Sequence, residues 1–244
     1  MNTQLSNTQS FDNQTVLIVG GSSGIGAATA QSFAAQGAQV TIASRSTAKL
    51  DAIAKQIGAD VTTATLDFTD DASVEAFFAN QTAYDHVVVT AGETPTGPVR
   101  VLSLADAYAA MNSKFWGAYR VARVARIREG GSLTLVSGFL AVRPSKMSVL
   151  QGAINAALEA LARGLALELS PVRVNTVSPG LIETPLWSRL DAERRTKMFE
   201  DAAARLPARR VGQPEDVARA VLYLASNPYA SGSTVLVDGG GAIA

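Results

Sequence analysis

The chain has 244 residues, enough for one large α/β domain, and 47 % of them are hydrophobic with few aromatics, as in a packed core. Lys+Arg and Asp+Glu balance at 21 each, which excludes an overall field for nucleic acid or an anionic membrane. The lack of cysteine excludes disulfides, thiolate catalysis and Cys-ligated metal, and fits a cytoplasmic location.

Residues 1–12 are polar and rich in Asn, Gln and Thr. They lack the basic start and apolar stretch of a secretory signal, and are expected to form a flexible leader before a single domain over 13–244. No apolar stretch is long enough to span a bilayer. From there, short β-branched runs at Thr15–Val19, Gln39–Ala43, Val61–Leu66, His86–Thr90, Ser132–Val136, Arg173–Val177 and Thr234–Val237 read as strands. They are near-continuously apolar, as strands covered on both faces should be. Ala-rich stretches of helical period lie between them: Gly24–Gln36, Thr47–Ile57, Ser73–Phe78, Leu104–Arg128, Val149–Leu169 and Pro214–Ala225. The alternation predicts a single Rossmann-type, doubly wound α/β domain with a seven-stranded parallel sheet and helices on both faces. One segment breaks it. Residues 183–210 carry Leu186, Trp187, Leu190, Met198 and Phe199 among many charges. A long insertion after a parallel strand is expected as a small helical lid over a substrate with an apolar or aromatic portion, rather than as a peripheral helical pair.

Thr15–Val19 runs into Gly20, Gly21, Ser22, Ser23, Gly24, Ile25 and Gly26, and then into helix. Glycines at a strand–turn–helix let the backbone approach a pyrophosphate, with the helix N–H groups facing it. At the end of the second strand an acidic residue would bind a ribose 2′-hydroxyl. The chain instead has Ser44, Arg45 and Ser46, a guanidinium between hydroxyls suited to a 2′-phosphate. The expected cofactor is NADP(H) in preference to NAD(H).

These residues resemble the classical short-chain dehydrogenases/reductases from Thr15 to the C-terminus. The glycine turn is similar to the family's Thr-Gly-x-x-x-Gly-x-Gly, with Val19 in place of Thr. Leu66-Asp67-Phe68 resembles the adenine-contacting Asp-Val, and Ala91-Gly92 the end of Asn-Asn-Ala-Gly. Asn112 matches the Asn of the long fourth helix, and Ser137 the active-site Ser. Pro179, Gly180, Ile182 and Thr184 resemble the Pro-Gly-x-Ile-x-Thr that cradles the nicotinamide, and Val237-Asp238-Gly239-Gly240 the family's ending. The resemblance also implies a Tyr-x-x-x-Lys, but aligning Ala156-Ala157-Leu158-Glu159 puts Gln151 at the Tyr position and Asn155 at the Lys position, with no Tyr between Ser137 and Leu169.

Gln151 offers two N–H donors but no dissociable proton, and Asn155 could bond ribose hydroxyls without charge. Because hydride transfer needs chiefly position and oxyanion stabilisation, the reading is a non-standard NADPH-dependent reductase of a ketone or aldehyde, a small-molecule carbonyl substrate. Ser137 and Gln151 would donate to the oxyanion, Asn112 would position a water chain, and water or substrate would supply the proton. The alternative is a non-catalytic NADP(H)-binding protein, a redox sensor or partner subunit. A lyase or dehalogenase on the same fold is disfavoured, since such relatives lose the dinucleotide site. The resemblance implies a tetramer or dimer through the two long helices.

His86 opens the fourth strand, away from the ligand crevice, and no metal-ligand spacing occurs. Tyr108 and Tyr119 flank Asn112 and are expected to pack or make subunit contacts. Lys146, on the loop before Gln151, is a loop cation that could stand near the site.

Overall fold

A computed structural model describes residues 10–58 and 61–244. β1 (Thr15–Val19), β2 (Gln39–Ser44), β3 (Val61–Thr65), β4 (Tyr84–Val89), β5 (Ile127–Val136), β6 (Arg173–Pro179) and β7 (Thr234–Val237) form one sheet. Its order is β3-β2-β1-β4-β5-β6-β7, with every pairing parallel. The chain steps outward from β1 in one direction, then returns to β4 and steps the other way. The crevice outside the carboxyl ends of β1 and β4 is therefore the switch point where an open α/β sheet takes ligands.

Strand residues alternate between two apolar layers. On one face Leu17, Val19, Val87, Leu133 and Leu135 meet Val74, Phe78, Val121, Leu158 and Leu165. They belong to α3 (Asp71–Ala79), α5 (Gly117–Val124) and α6 (Val149–Glu168). On the other, Val16, Ile18, Val40, Ile42 and Val177 meet Phe33, Leu50, Val217, Val221 and Leu224. Those come from α1 (Gly24–Ala34), α2 (Thr47–Ile57) and α8 (Pro214–Ser226). The single doubly wound domain with seven parallel strands is the architecture expected from the sequence.

Two details differ. Phe11, counted in the leader, is 1 % exposed and its N–H donates to Gln36 O at 2.8 Å. Residues 1–9 of that leader lie outside the described residues. The long helix expected over Leu104–Arg128 is α4 (Leu104–Ala110), a π turn over Met111–Trp116, and α5, which stops at Val124. Its expected last residues instead begin β5, where Ile127 pairs with Tyr84 before the register shifts to His86–Ser132. Gly130 (φ 77°) supplies the left-handed residue within that irregularity. Residues 183–210, expected as a small helical segment, form a 3₁₀ turn (Pro185–Arg189) and α7 (Ala192–Arg205).

Helix ends distinguish scaffold from site. Side chains of Ser46, Asp70, Ser103 and Asp191 accept from the first-turn N–H groups of α2, α3, α4 and α7. At α1 the N-cap Ser23 makes no such bond, and no acidic residue follows in the first turn. Its N–H groups stay free to face the crevice.

Candidate active site

A cavity of about 570 Å³ opens at the switch point, in the size range of small-molecule and cofactor sites. Gly20, Ser22, Ser23, Gly24, Ile25 and Gly26 form one wall, together with the free end of α1. Gly24 has φ +51°, and a Cβ on Gly26 would lie 2.1 Å from Gly20 O, so the turn tolerates no side chain there. Ser44, Arg45 and Ser46 line the same cavity, with Arg45 exposed. Lys49, four residues beyond Arg45 in the first turn of α2 and also exposed, joins them. Sequence reasoning passed over this lysine, although it follows Arg45 closely across the N-cap Ser46.

Phe68, Ala91, Gly92, Pro179, Gly180, Ile182 and Thr184 complete the cofactor-type walls expected from the sequence. Thr184 packs against Gly24: a Cβ added to that glycine would meet its side chain at 3.3 Å. Asp67 is not a lining residue. Its Oδ1 accepts from Thr69 N at 3.0 Å and Thr69 Oγ1 at 2.6 Å. Burial pushes this carboxyl up, but the Thr69 bonds and the charges of Arg45 and Arg120 hold it below the usual value.

The reaction-type residues divide. Ser137 and Asn155 both line the cavity and are almost fully buried. Ser137 Oγ donates to Glu159 Oε1 at 3.0 Å, inside the protein. Gln151 sits half-buried in the first turn of α6 and is not a lining residue. Asn112 is also outside the walls, its Nδ2 donating to Thr69 O at 3.3 Å. Lys146 is exposed and is not a lining residue.

The cation that does arrive is Lys114. It leaves the π turn, and its stem crosses Gly92, where an added Cβ would come within 2.9 Å of Lys114 Cγ. Its Nζ donates to Ser137 O at 2.6 Å and to Asn155 Oδ1 at 2.8 Å. Burial pulls the ammonium down to about 8. The signal in the sequence is a lysine two residues past Asn112, beside Phe115 and Trp116. Positions two apart on a helix face different sides, in keeping with Lys114 in the cavity wall and Asn112 outside it.

The segment after β6 closes another side. Leu186 and Trp187 line the cavity, with Trp187 Nε1 donating to Ile182 O at 2.9 Å, whereas Met198 and Phe199 on α7 do not. Arg189 forms an ion pair with Glu93 from the loop after β4, and both are lining residues. His86 is buried, bonded to Ser132 Oγ at 2.8 Å and Gln14 Oε1 at 2.7 Å, and burial lowers it to about 4. Among the described residues, no group of acidic or imidazole side chains could hold a metal, and no helix is long and apolar enough to cross a membrane.

Comparison with known proteins agrees with this architecture. A family model described as Enoyl-(Acyl carrier protein) reductase matches residues 19–241. A short-chain dehydrogenase/reductase of Stachybotrys chlorohalonatus is 35 % identical, over 93 % of this chain and 96 % of its own. A 3-oxoacyl-[acyl-carrier-protein] reductase of Thermotoga maritima is 31 % identical, over 94 % and 98 %. The crystal structure of a small-chain dehydrogenase in complex with NADPH superposes with a TM-score of 0.80 at 34 % identity, covering 96 % of this chain and all of that one. With the switch-point cavity, the glycine turn and these relatives in agreement, the chain is a member of the short-chain dehydrogenase/reductase family of oxidoreductases.

Proposed function

We propose that the chain is an NADPH-dependent oxidoreductase that reduces a ketone or aldehyde to an alcohol with a non-standard active site. The observation that carries this reading is one continuous cavity running from the glycine turn and Arg45 to Ser137 and Asn155. The residues fit the cofactor. Gly20, Gly24 and Gly26 leave room for a pyrophosphate against the uncapped α1, and Ser44, Arg45, Ser46 and Lys49 suit an adenosine 2′-phosphate. Phe68, Ala91 and Gly92 would flank the adenosine side, and Pro179, Gly180, Ile182 and Thr184 the nicotinamide. When bound, reduced nicotinamide supplies two electrons as hydride.

The protein's own groups then bind and orient the carbonyl. Ser137 and Asn155 line the reaction end, and Gln151 and Asn112, which do not line the cavity, are the proposed amide donor and water-positioning residue. Leu186 and Trp187 support an apolar portion of the substrate, with residues 183–210 acting as its lid. The ketoacyl reductase among the relatives supports a carbonyl substrate. Exposed Leu104, Tyr108, Trp116 and Tyr119 support a homodimer or tetramer through this helical face.

The test is calorimetric titration with NADPH and NADH, followed by turnover on activated ketones and aldehydes. Micromolar NADPH binding and substrate-dependent oxidation are expected, and absence of oxidation across the panel overturns the reductase. Gln151→Tyr combined with Asn155→Lys should raise ordinary reductase activity if the pocket takes carbonyls. A second reading, a non-catalytic NADP(H)-binding protein, is favoured by one observation: the Ser137 hydroxyl spends its proton on Glu159. It predicts tight NADPH binding without turnover and no effect of Gln151→Ala.

A further inference from the structure

An alcohol forms only if a proton reaches the carbonyl oxygen, and few groups at the reaction end can give one. Gln151 and Asn155 are neutral amides with no dissociable proton. The hydrogen of Ser137 Oγ points to Glu159. Glu93 is engaged with Arg189, while Arg45 and Lys49 belong to the end near β2. Lys114 remains. Its ammonium lines the cavity, is held by Ser137 O and Asn155 Oδ1, and has a third N–H beyond those two bonds. Among the described residues no carboxylate pairs with it. The Gly92 crossing fixes the stem, so the group is placed rather than loosely tethered.

We propose that Lys114 is the proton donor of this site, delivering a proton from Nζ to the carbonyl oxygen, with Asn155 as the positioning residue that holds it. The proposal rests on the reductase reading above. With hydride added to the carbonyl carbon, the C=O π bond opens to an alkoxide. The alkoxide takes H⁺ from Lys114 Nζ, giving the alcohol and a neutral amine that solvent reprotonates. No further oxidant or reductant is required. The lowered affinity of the buried amine for its proton, about 8, suits a general acid near neutral pH.

Three variants of the full-length protein test it: Lys114→Met, Lys114→Arg and Asn155→Ala. NADPH dissociation constants, measured by coenzyme fluorescence, establish that each variant still binds and is folded. With an activated ketone, kcat for Lys114→Met should fall about 10²-fold or more, while the NADPH Kd changes only a few-fold. Lys114→Arg keeps the charge but cannot release a proton at neutral pH, so its kcat should stay low. Wild-type kcat should decline above about pH 8. Asn155→Ala should shift that limb. Separately, selective ¹³Cε labelling of the five lysines allows the Lys114 resonance, assigned with Lys114→Arg, to be titrated by NMR with the ammonium unmodified. It should titrate near 8. Full kcat in Lys114→Arg with a flat pH profile, or a Lys114 resonance titrating at an ordinary lysine value, overturns the donor while the reductase stands. A wild-type protein that binds NADPH without turnover overturns both.

Discussion

Arg45, just before the cap of α2, and Lys49, in its first turn, are both open to solvent at the rim of the same cavity. A charge-assisted hydrogen bond from either to a phosphoryl group is worth about 1.5–3 kcal/mol. Arg45→Ala and Lys49→Ala should therefore each weaken NADPH binding on the order of 10- to 100-fold and leave NADH nearly unchanged, as read by paired fluorescence titrations. Equal losses for both coenzymes would place these cations elsewhere. Arg45 could be found in the sequence because its position is defined by what is missing, an acid at the end of the second strand. Lys114 could not. Its relevance comes from the passage of its stem over the bare Cα of Gly92, a tertiary contact that leaves no periodic pattern.

The strands and the glycine turn were legible because each element announces itself locally. The inner β-branched runs, buried on both faces, have few alternative conformations, and Gly20, Gly24 and Gly26 mark the turn. The edge strand β3 is largely exposed, against the expectation of cover on both faces. The break after α5 was hidden, since Ala125-Arg126-Ile127-Arg128 carries on the charge and apolar spacing of the helix before it. What ends the helix is Tyr84, whose N–H donates to Arg126 O at 2.9 Å and recruits Ile127 into the sheet, a tertiary contact. A comparable long-range device holds α8. Arg173, buried at the first position of β6, donates to Leu224 O at 2.5 Å, Ala225 O at 2.6 Å and Ala230 O at 3.3 Å. It thus serves the carbonyl end of α8, where a cation is also favoured by the helix dipole. Arg173→Met would strand those carbonyls and should cost about 2–4 kcal/mol in urea unfolding. A loss below 0.5 kcal/mol would show that water replaces the guanidinium.

At the scale of the whole fold, His86 couples folding to mild acid. Its Nε2–H donates to the Gln14 carbonyl oxygen, and its Nδ1 accepts from Ser132, with Phe11 and Phe33 packed against the ring. Burial first, and then the nearby Arg173 charge, lower it from 6.5 to about 4, with Asp85 opposing them. The unfolded chain therefore takes up a proton near pH 6.5 that the folded chain refuses until about pH 4. Stability is complete above the higher value and declines as pH falls toward the lower one, by roughly 3 kcal/mol in all. Urea midpoints at pH 7 and 5 should show this loss, and His86→Gln should flatten it. An unchanged wild-type midpoint would mean that the imidazole titrates normally.

The apolar layer beneath α1 and α2 joins residues from opposite ends of the polypeptide. Phe11, Ile18 and Phe33 are covered by Val217, Val221 and Leu224. A ribosome therefore displays the first strands and the coenzyme turn long before it has made the helix that seals them from water. Until α8 emerges, a nascent chain carries that greasy surface uncovered, so its safe maturation depends on late closure or on a chaperone that shields it meanwhile.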